Sequence, residues 1–543
     1  MKNSTDLTKS VPLQAPPPKA APSAPPQKVH FWLALLLGLA VRTVTAILVY
    51  GAMSVDDYSH GVLPALETAR GVPLELPPWR SPLLVWILTS FVRLGSLFGI
   101  HSVFSLIQFQ LFMLGLFSCL GIWSYGWSCR WSYGWFHGRL SPSLAPENGR
   151  LILFPLYFLS LYFLMPFAST RAYGEGIAMT LVWVGYLFMA DEARRSEGGD
   201  RRFFAGAVVL GLACLFRFQV GLLAIGKAVE LAWGRRWRRV VIFAAAGVVT
   251  AALEGSIDLA FGRWPLQTLR DYLLFNQDGA VQSSQQPWYH TWLTVLPIWF
   301  FPLSLPLLWR GLRHLTRFEK LLLGVSAFFI FMHSLVPHKE ERFLLPILPF
   351  LLFVFARVWA KCWGMRYEKW IFRPLAFLLL GVGLVITISS NSQSGEYEPL
   401  RLAEDFGESL VIWDVKSVMQ ESYFRDRLLR LMTAEGPREV RSANLLSKAP
   451  TWRSRIQYRV EEHWPDQAQI VALAARFRGL MMVTSDESIL PSDSATRGGF
   501  AARAAGMTCD PLKKIQSPAD AIIYRLNPSF NTRRKPTWVL LCK

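Results

Sequence analysis

Two clusters of ionisable residues stand out in a chain otherwise dominated by apolar runs. One is His338-Lys-Glu-Glu-Arg-Phe343, where five of six residues are ionisable and apolar runs press in on both sides. The other is Asp56-Asp57, directly after the first long apolar run and followed by His60, Glu67, Arg70 and Pro77-Pro-Trp-Arg-Ser81. A turn between apolar runs needs only one or two polar residues, and charges near a bilayer are costly, so the first cluster reads as a functional site. Its alternative is a solvated loop with snorkelling side chains. The acidic pair equally fits two solvated carboxylates at a helix end. As chemistry, a carboxylate can serve as a general base, typically worth about 10²–10⁴-fold, and a His/Lys/Arg cluster can hold a phosphate. The substrate would then be a phosphorylated lipid entering from the membrane.

Further candidates lie near these. A polar loop at 262–290 carries Trp264, Asn276, Asp278 and Pro287-Trp-Tyr289. Arg42 falls inside the first apolar run, and Arg171 with Glu175 at the edge of another. Arginines in such places need partners, so these three fit an ion pair within a bundle or a contact to substrate. Arg217 and Gln219 interrupt the long apolar run at 203–233.

The elements that must position these groups are membrane helices. Hydrophobic residues make up 52% of the 543 and charged residues 17%, with 22 Trp and 37 Phe. The apolar runs are about 18–20 residues long, enough to cross a hydrocarbon core of about 30 Å. A net charge of +19 is concentrated in four short loops around Arg194–Arg202, Arg235–Arg239, Arg310–Lys320 and Lys361–Arg373. That pattern marks cytoplasmic loops and excludes nucleic acid as a partner. Placing all four inside requires the run at 82–98, with Pro82 and Arg93, to lie along the membrane as an interfacial helix. It also requires the run at 203–233 to turn back near Arg217 and Gln219. The result is an all-α polytopic bundle of about 11 crossings over residues 29–390. Residues 1–28 read as a disordered Pro-rich cytoplasmic tail, and the Ser-Tyr-Gly-Trp repeat in a loop at 124–150 as an interfacial aromatic patch. Residues 391–543 change to the composition of a small extracytoplasmic α/β domain, with strands at Leu410–Trp413, Leu480–Val483, Ala521–Tyr524 and Trp538–Leu541. Cys509 and Cys542 fit either a disulfide or two free thiols there.

The segment Val336-Pro-His-Lys-Glu-Glu-Arg-Phe-Leu-Leu-Pro346 resembles the hallmark of glycosyltransferase family 22, the polyprenyl-phosphate-mannose-dependent mannosyltransferases of N-glycan and GPI-anchor assembly. A second block, Ile257-Asp258, Gly262, Trp264, Phe275-Asn276 and Pro287-Trp288-Tyr289, resembles the family's Asp…Tyr-Gly-x-Trp…Phe-Asn…Pro-Trp loop, with Phe261 in place of Tyr. In the first loop Asp56-Asp57 and Arg80-Ser81 stand for the family's Asp-Glu and later Arg-Ser. Arg171 and Glu175 stand for an Arg near Ser-Asn-x-x-Glu, without the Asn.

The resemblance implies a GT-C fold with its active site at the extracytoplasmic interface, and inversion at the anomeric carbon. Asp56 would take the catalytic carboxylate's place, with Asp57 as the other candidate base. Lys339 and Arg342, with His338, would hold the donor phosphate. Substrate-binding or structural roles would fall to Arg80, Arg171, Glu175, Arg217, Asp258, Trp264, Asn276, Trp288, Tyr289, Glu340 and Glu341. The partners implied are a polyprenyl-phosphate-linked sugar donor, a glycan or glycolipid acceptor and the lipid bilayer, with no metal or cofactor. The location would be the endoplasmic reticulum membrane in a eukaryote or the inner membrane in a bacterium. A lipid-linked sugar transporter or flippase also wants basic residues around a lipid phosphate but needs no carboxylate base, and no internal repeat of the spans supports it. A scaffold that kept the fold and lost activity is the third reading.

Overall fold

The computed structural model describes residues 27–49, 58–133, 146–190, 199–278, 286–301, 303–306, 314–336, 339–389 and 401–402, with 410–414, 457–461, 480–484, 509–515, 521, 525 and 537–542. The first stretch gives α1 (Gln27–Leu48), a π turn Tyr58–Val62 running into α2 (Leu63–Ala69), α3 (Leu83–Leu97) and α4 (Val103–Tyr133). Then come α5 (Pro146–Leu161), α6 (Leu164–Ser169), α7 (Gly174–Met189), α8 (Gly199–Phe216), a 3-10 turn Phe218–Val220, and α9 (Gly221–Trp233). The bundle continues with α10 (Trp237–Ala260), α11 (Gln267–Asp278), α12 (Leu296–Phe300) and α13 (Arg317–Ser334). A 3-10 stretch Glu341–Ile347 enters α14 (Leu348–Cys362), and α15 (Arg373–Ser389) follows.

Among the described residues five segments are long and apolar enough to cross a bilayer: Val29–Leu48, Val103–Cys129, Trp237–Ala260, Glu341–Cys362 and Glu368–Ile388. The protein is a multi-pass membrane protein. The Glu341–Cys362 segment is buried along nearly its whole length and forms the central post of the bundle. Around it helices approach closely through small residues, because lipid offers no hydrophobic drive to press them together. At the α7–α8 crossing a Cβ on Gly185 would meet the Gly206 carbonyl at 2.8 Å, and the reverse holds for Gly206.

The helix break inside 203–233 falls at Arg217, whose backbone is extended (φ −153, ψ 104) between α8 and the 3-10 turn. The run at 82–98 forms α3, which buries Val85, Leu88 and Val92 and leaves Leu97 and Phe98 exposed. The region 124–133 corrects the loop reading, because α4 runs on through it to Tyr133. Its residues pack between helices: Tyr125 is buried and donates to the Ile152 carbonyl at 3.3 Å, and Gly126 lies against the Phe31 ring, with no room for a Cβ. Repeated Ser, Gly and aromatic residues suggested a loop, but small residues in a membrane helix are contact points. Residues 134–145 of the same reading lie outside those described.

Arg42 is buried in α1, and no acid among the described residues pairs with it. Its guanidinium donates to Ser118 Oγ at 2.6 Å and to the carbonyls of Gly38, Leu159 and Ser160 at 3.0, 3.2 and 2.8 Å, joining three helices. It is an interhelical clamp, not the ion pair or substrate contact the sequence suggested.

Beyond residue 402 the described elements are strands β1 (Leu410–Asp414), β2 (Gln457–Glu461), β3 (Leu480–Thr484), β4 (Cys509–Ile515) and β5 (Thr537–Cys542), in the order β2-β1-β3-β5-β4. β1 pairs in parallel with β2 and β3, while β5 runs antiparallel to β3 and β4. The expected strand at Ala521–Tyr524 is not among them; residue 521 is helical and 522–524 lie outside those described.

Candidate active site

The break at Arg217 opens one end of the bundle. There a cavity of about 490 Å³ is lined by residues from the first loop (His60 and Trp79–Ser81), the α6–α7 turn, the α8–α9 break, α11 and the 340–343 segment. The side chains meeting in it include His60, Trp79, Arg80, Arg217, Glu340 and Arg342. No continuous helix could bring these together; each reaches the cavity from an element end or a loop.

Glu175, fully buried in the first turn of α7, is the electrostatic hub. Arg217 forms an ion pair with its Oε1, and Arg342 Nε lies 3.8 Å from the same oxygen. Among the described residues Glu175 Oε2 has no hydrogen-bond partner, and neither has Arg217 Nε. Arg342 is only 4% exposed and is gripped by Glu340, with Nε 2.6 Å from Oε2 and Nη2 3.0 Å from Oε1. The Phe343 ring sits near both guanidiniums, 5.8 Å from that of Arg217 and 5.6 Å from that of Arg342. Among the described residues Arg80, Arg217 and Arg342 bring three guanidiniums to the cavity, with Glu340 on its lining and Glu175 paired with Arg217. Guanidiniums gathered in a partly enclosed space suit an anion.

The opposite wall is aromatic and polar. Trp79 of the first loop stacks on Phe275 of α11, with centroids 4.4 Å apart and planes at 10°. Tyr272 and Asn276 also line the cavity, and Asn276 Nδ2 donates to the Tyr272 carbonyl at 2.8 Å. Burial pushes the Tyr272 phenol above its ordinary range, so it stays a donor.

Arg263 latches this wall to the first loop. Its Nη1 donates to the Arg80 carbonyl at 2.9 Å and to Thr268 Oγ1 at 2.8 Å, and its Nη2 to the carbonyls of Leu76 and Pro77 at 3.4 Å. Thr268 donates in turn to Asp258, through its hydroxyl at 2.5 Å and its N–H at 3.3 Å. Burial holds Arg263 below the usual arginine range, against the pull of Asp258, Asp271 and Glu254.

The candidates from sequence therefore divide. Arg80, Glu175, Arg217, Asn276, Glu340 and Arg342 line or adjoin the cavity. Asp258 is fully buried and acts through Thr268 and Arg263. Arg171 is buried and donates to the carbonyl of Val49, so it ties the α6–α7 turn to the end of α1, while its Nε and Nη2 have no hydrogen-bond partner among the described residues. Lys339 spends its ammonium on the carbonyls of Val336 and Gln286, at 2.6 and 3.0 Å, and burial lowers its pKa. Trp264, Trp288, Tyr289 and Glu341 are exposed and do not line the cavity. Asp56, Asp57 and His338 lie outside the described residues. The sequence reading did not single out Tyr272 or Arg263. Tyr272 stands one helical turn before Asn276, a spacing that could have found it; Arg263 occupies the variable position between Gly262 and Trp264, and nothing local distinguishes it. Among the described residues no group of three or more His, Cys, Asp or Glu is placed to hold a metal ion.

Known proteins resemble this chain in sequence and in fold. The profile of the Alg9-like mannosyltransferase family matches residues 76–405. Human GPI alpha-1,2-mannosyltransferase 3 is 28% identical over 148 residues, 26% of each chain. GPI mannosyltransferase 3 of Eremothecium gossypii is 27% identical over 244 residues, 41% of each chain. The chain thus spans between a quarter and two fifths of the length of these relatives. The crystal structure of ArnT from Cupriavidus metallidurans bound to undecaprenyl phosphate is similar over 94% of this chain and 97% of that one, with a TM-score of 0.52 at 14% identity. That likeness shows a shared GT-C type fold.

Proposed function

Since the chain belongs to the Alg9-like mannosyltransferase family, we propose that it moves mannose from a polyprenyl-phosphate-mannose donor to a hydroxyl of a glycan or glycolipid acceptor on the extracytoplasmic face, with inversion. The observation that carries this reading is the convergence of Arg80, Arg217 and Arg342 on one cavity, with Glu175 paired to Arg217, at the end of the bundle that holds the family hallmark. A donor phosphodiester is an anion, which such guanidiniums can hold. The binding of undecaprenyl phosphate by the ArnT neighbour supports a polyprenyl-phosphate ligand here. The GPI mannosyltransferase relatives favour a glycolipid acceptor and, with it, the endoplasmic reticulum.

In this mechanism Asp56, or Asp57 in its place, accepts the proton of the acceptor hydroxyl as its oxygen attacks the anomeric carbon. The bond from that carbon to the phosphate oxygen breaks, and polyprenyl phosphate leaves with the electron pair. Arg342 and Arg217 stabilise the growing charge on the phosphate, oriented beforehand by Glu340 and Glu175 so that little reorganisation is needed. Lys339 fixes the segment before Arg342 through its two carbonyls. Trp79 and Phe275 offer an apolar face to the sugar. Residues 391–543 form the extracytoplasmic α/β domain beside it, and the bundle makes about 11 crossings.

The test is transfer of radiolabelled mannose from polyprenyl-phosphate-mannose to lipid-extract acceptors by membranes carrying wild type or Asp56→Asn. Transfer that vanishes in the variant while donor binding persists supports the enzyme and its base. Equal transfer by both would remove Asp56 and direct the same test to Asp57→Asn. A transporter would tolerate both substitutions.

A further inference from the structure

A second, larger cavity of about 860 Å³ opens between α9 and α13 at the opposite end of both helices. Its position follows from helix geometry. Gln219, just before α9, lines the first cavity, whereas Gly226–Gly234 line this one, about 10–22 Å further along at 1.5 Å per residue. The walls are apolar: Val229 and Trp233 on α9, and Leu321, Val325 and Phe328 on α13. Val229 and Trp233 are exposed on the flank of the bundle, 58% and 89%, so the cavity opens sideways toward lipid. Between the walls Gly324 leaves open space where a Cβ would stand.

The mouth is cationic. Lys227, only 2% exposed, lies 2.9 Å from Glu230, and Arg236 pairs with the same side chain at 3.5 Å. Two cations thus already hold that acid. Arg317 and Lys320 line the mouth with no carboxylate partner among the described residues, and the neighbouring Glu319 is taken by Arg357 and Lys361. The crowding is felt by Arg236, which sits below the usual arginine range through burial first and then through Arg317 and Arg239. Two of the basic loops, at 235–239 and 317–320, converge here. Excess cations at the rim of an apolar slot between helices, at the end of a membrane bundle, match a lipid headgroup above its chains.

We propose that this cavity binds a membrane phospholipid with an anionic headgroup, its phosphate held by Arg317 and Lys320 and an acyl chain lying along Val229, Leu321 and Val325. The site lies at the far end of α9 from the catalytic cavity and needs no part of the transfer reaction.

The experiment reconstitutes the whole protein in nanodiscs of phosphatidylcholine with a fixed share of phosphatidylglycerol, then extracts it and measures retained lipid by mass spectrometry. Three proteins are compared: wild type, the double variant Arg317→Ala/Lys320→Ala, and Gly324→Phe. Arg317 and Lys320 are exposed and Gly324 has room beside it, and an unchanged thermal transition in phosphatidylcholine alone checks that each variant folds. Wild type is expected to retain phosphatidylglycerol over phosphatidylcholine, the double variant to lose that preference about tenfold, and Gly324→Phe to lose the retained lipid. Equal retention of the two lipids by wild type, or a preference that survives either substitution, overturns the proposal.

Discussion

Glu175 and Glu319 are both fully buried carboxylates facing arginines, at opposite ends of the bundle, and they differ in what is left over. Glu319 closes a capping box with Thr316 at the start of α13 and takes Arg357 and Lys361 as ion-pair partners, so both its oxygens are used. Glu175 has one oxygen engaged by Arg217 and approached by Arg342, and the other has no hydrogen-bond partner among the described residues. The surroundings differ in the same sense: the cavity of about 490 Å³ lies at the Glu175 end, and its lining includes both arginines. A buried polar network that satisfies all its members fixes the packing of helices, whereas one left incomplete beside a cavity is costly unless something else fills it. The 341–362 segment ties the two together, carrying Arg342 near its start and Arg357 and Lys361 near its end.

Substitutions can break that contrast, and the largest effect is expected at the open end. Arg342→Ala should lower mannosyl transfer about 10²–10³-fold, the scale of removing one donor from a developing negative charge, while the protein still folds. Arg342→Lys should recover little, because an ammonium cannot reproduce the two-point grip on Glu340. At the closed end the currency changes from rate to stability. Glu319→Ala leaves Arg357 and Lys361 without their acid and should cost about 3–5 kcal/mol in a thermal or denaturant transition. The transfer rate of the surviving folded fraction should stay near the wild-type value, and a loss as large as that of Arg342→Ala would erase the distinction.

Smaller effects sharpen it. Arg263→Ala releases the backbone of Leu76, Pro77 and Arg80 and should raise the donor KM about tenfold with a smaller change in kcat; Arg263→Lys should restore part of the loss. Limited proteolysis of the 71–82 loop should rise in step. The smallest effect is a pH dependence. Burial lowers the Lys339 pKa, so its charge is present at neutral pH and is lost as pH rises, starting below the ordinary lysine range. Donor binding should weaken over that alkaline limb, and Lys339→Arg should move the limb to higher pH.

Legibility from sequence followed the range of the physics involved. The His338–Phe343 block was readable because five ionisable residues between apolar runs are costly wherever the chain folds. The break at Arg217 was readable because a polar pair interrupts an apolar run too long for one simple crossing. Exposure at Trp264, Trp288 and Tyr289 was not readable, since aromatic residues serve equally at a sugar site and at a membrane interface. Continuation of α4 through Ser124–Tyr133 was missed because Gly and Ser signal loops in water but close helix contacts in lipid. The strands at 457–461 and 509–515 were missed because Gln-Tyr-Arg-Val-Glu and Cys-Asp-Pro-Leu-Lys-Lys-Ile are too polar to read as buried strands.

By itself, then, the sequence determined the membrane class, the breaks in its helices, the family and the residue types of the site, all consequences of local hydropathy, charge cost and motif spacing. Only the tertiary structure decided that Glu175, Arg217 and Arg342 share one charge network, that Lys339 turns to backbone carbonyls, and that Arg42 is a clamp between helices. Those assignments depend on which helix ends meet, and that is set by the packing of distant segments around the 341–362 post, which no stretch of chain encodes alone.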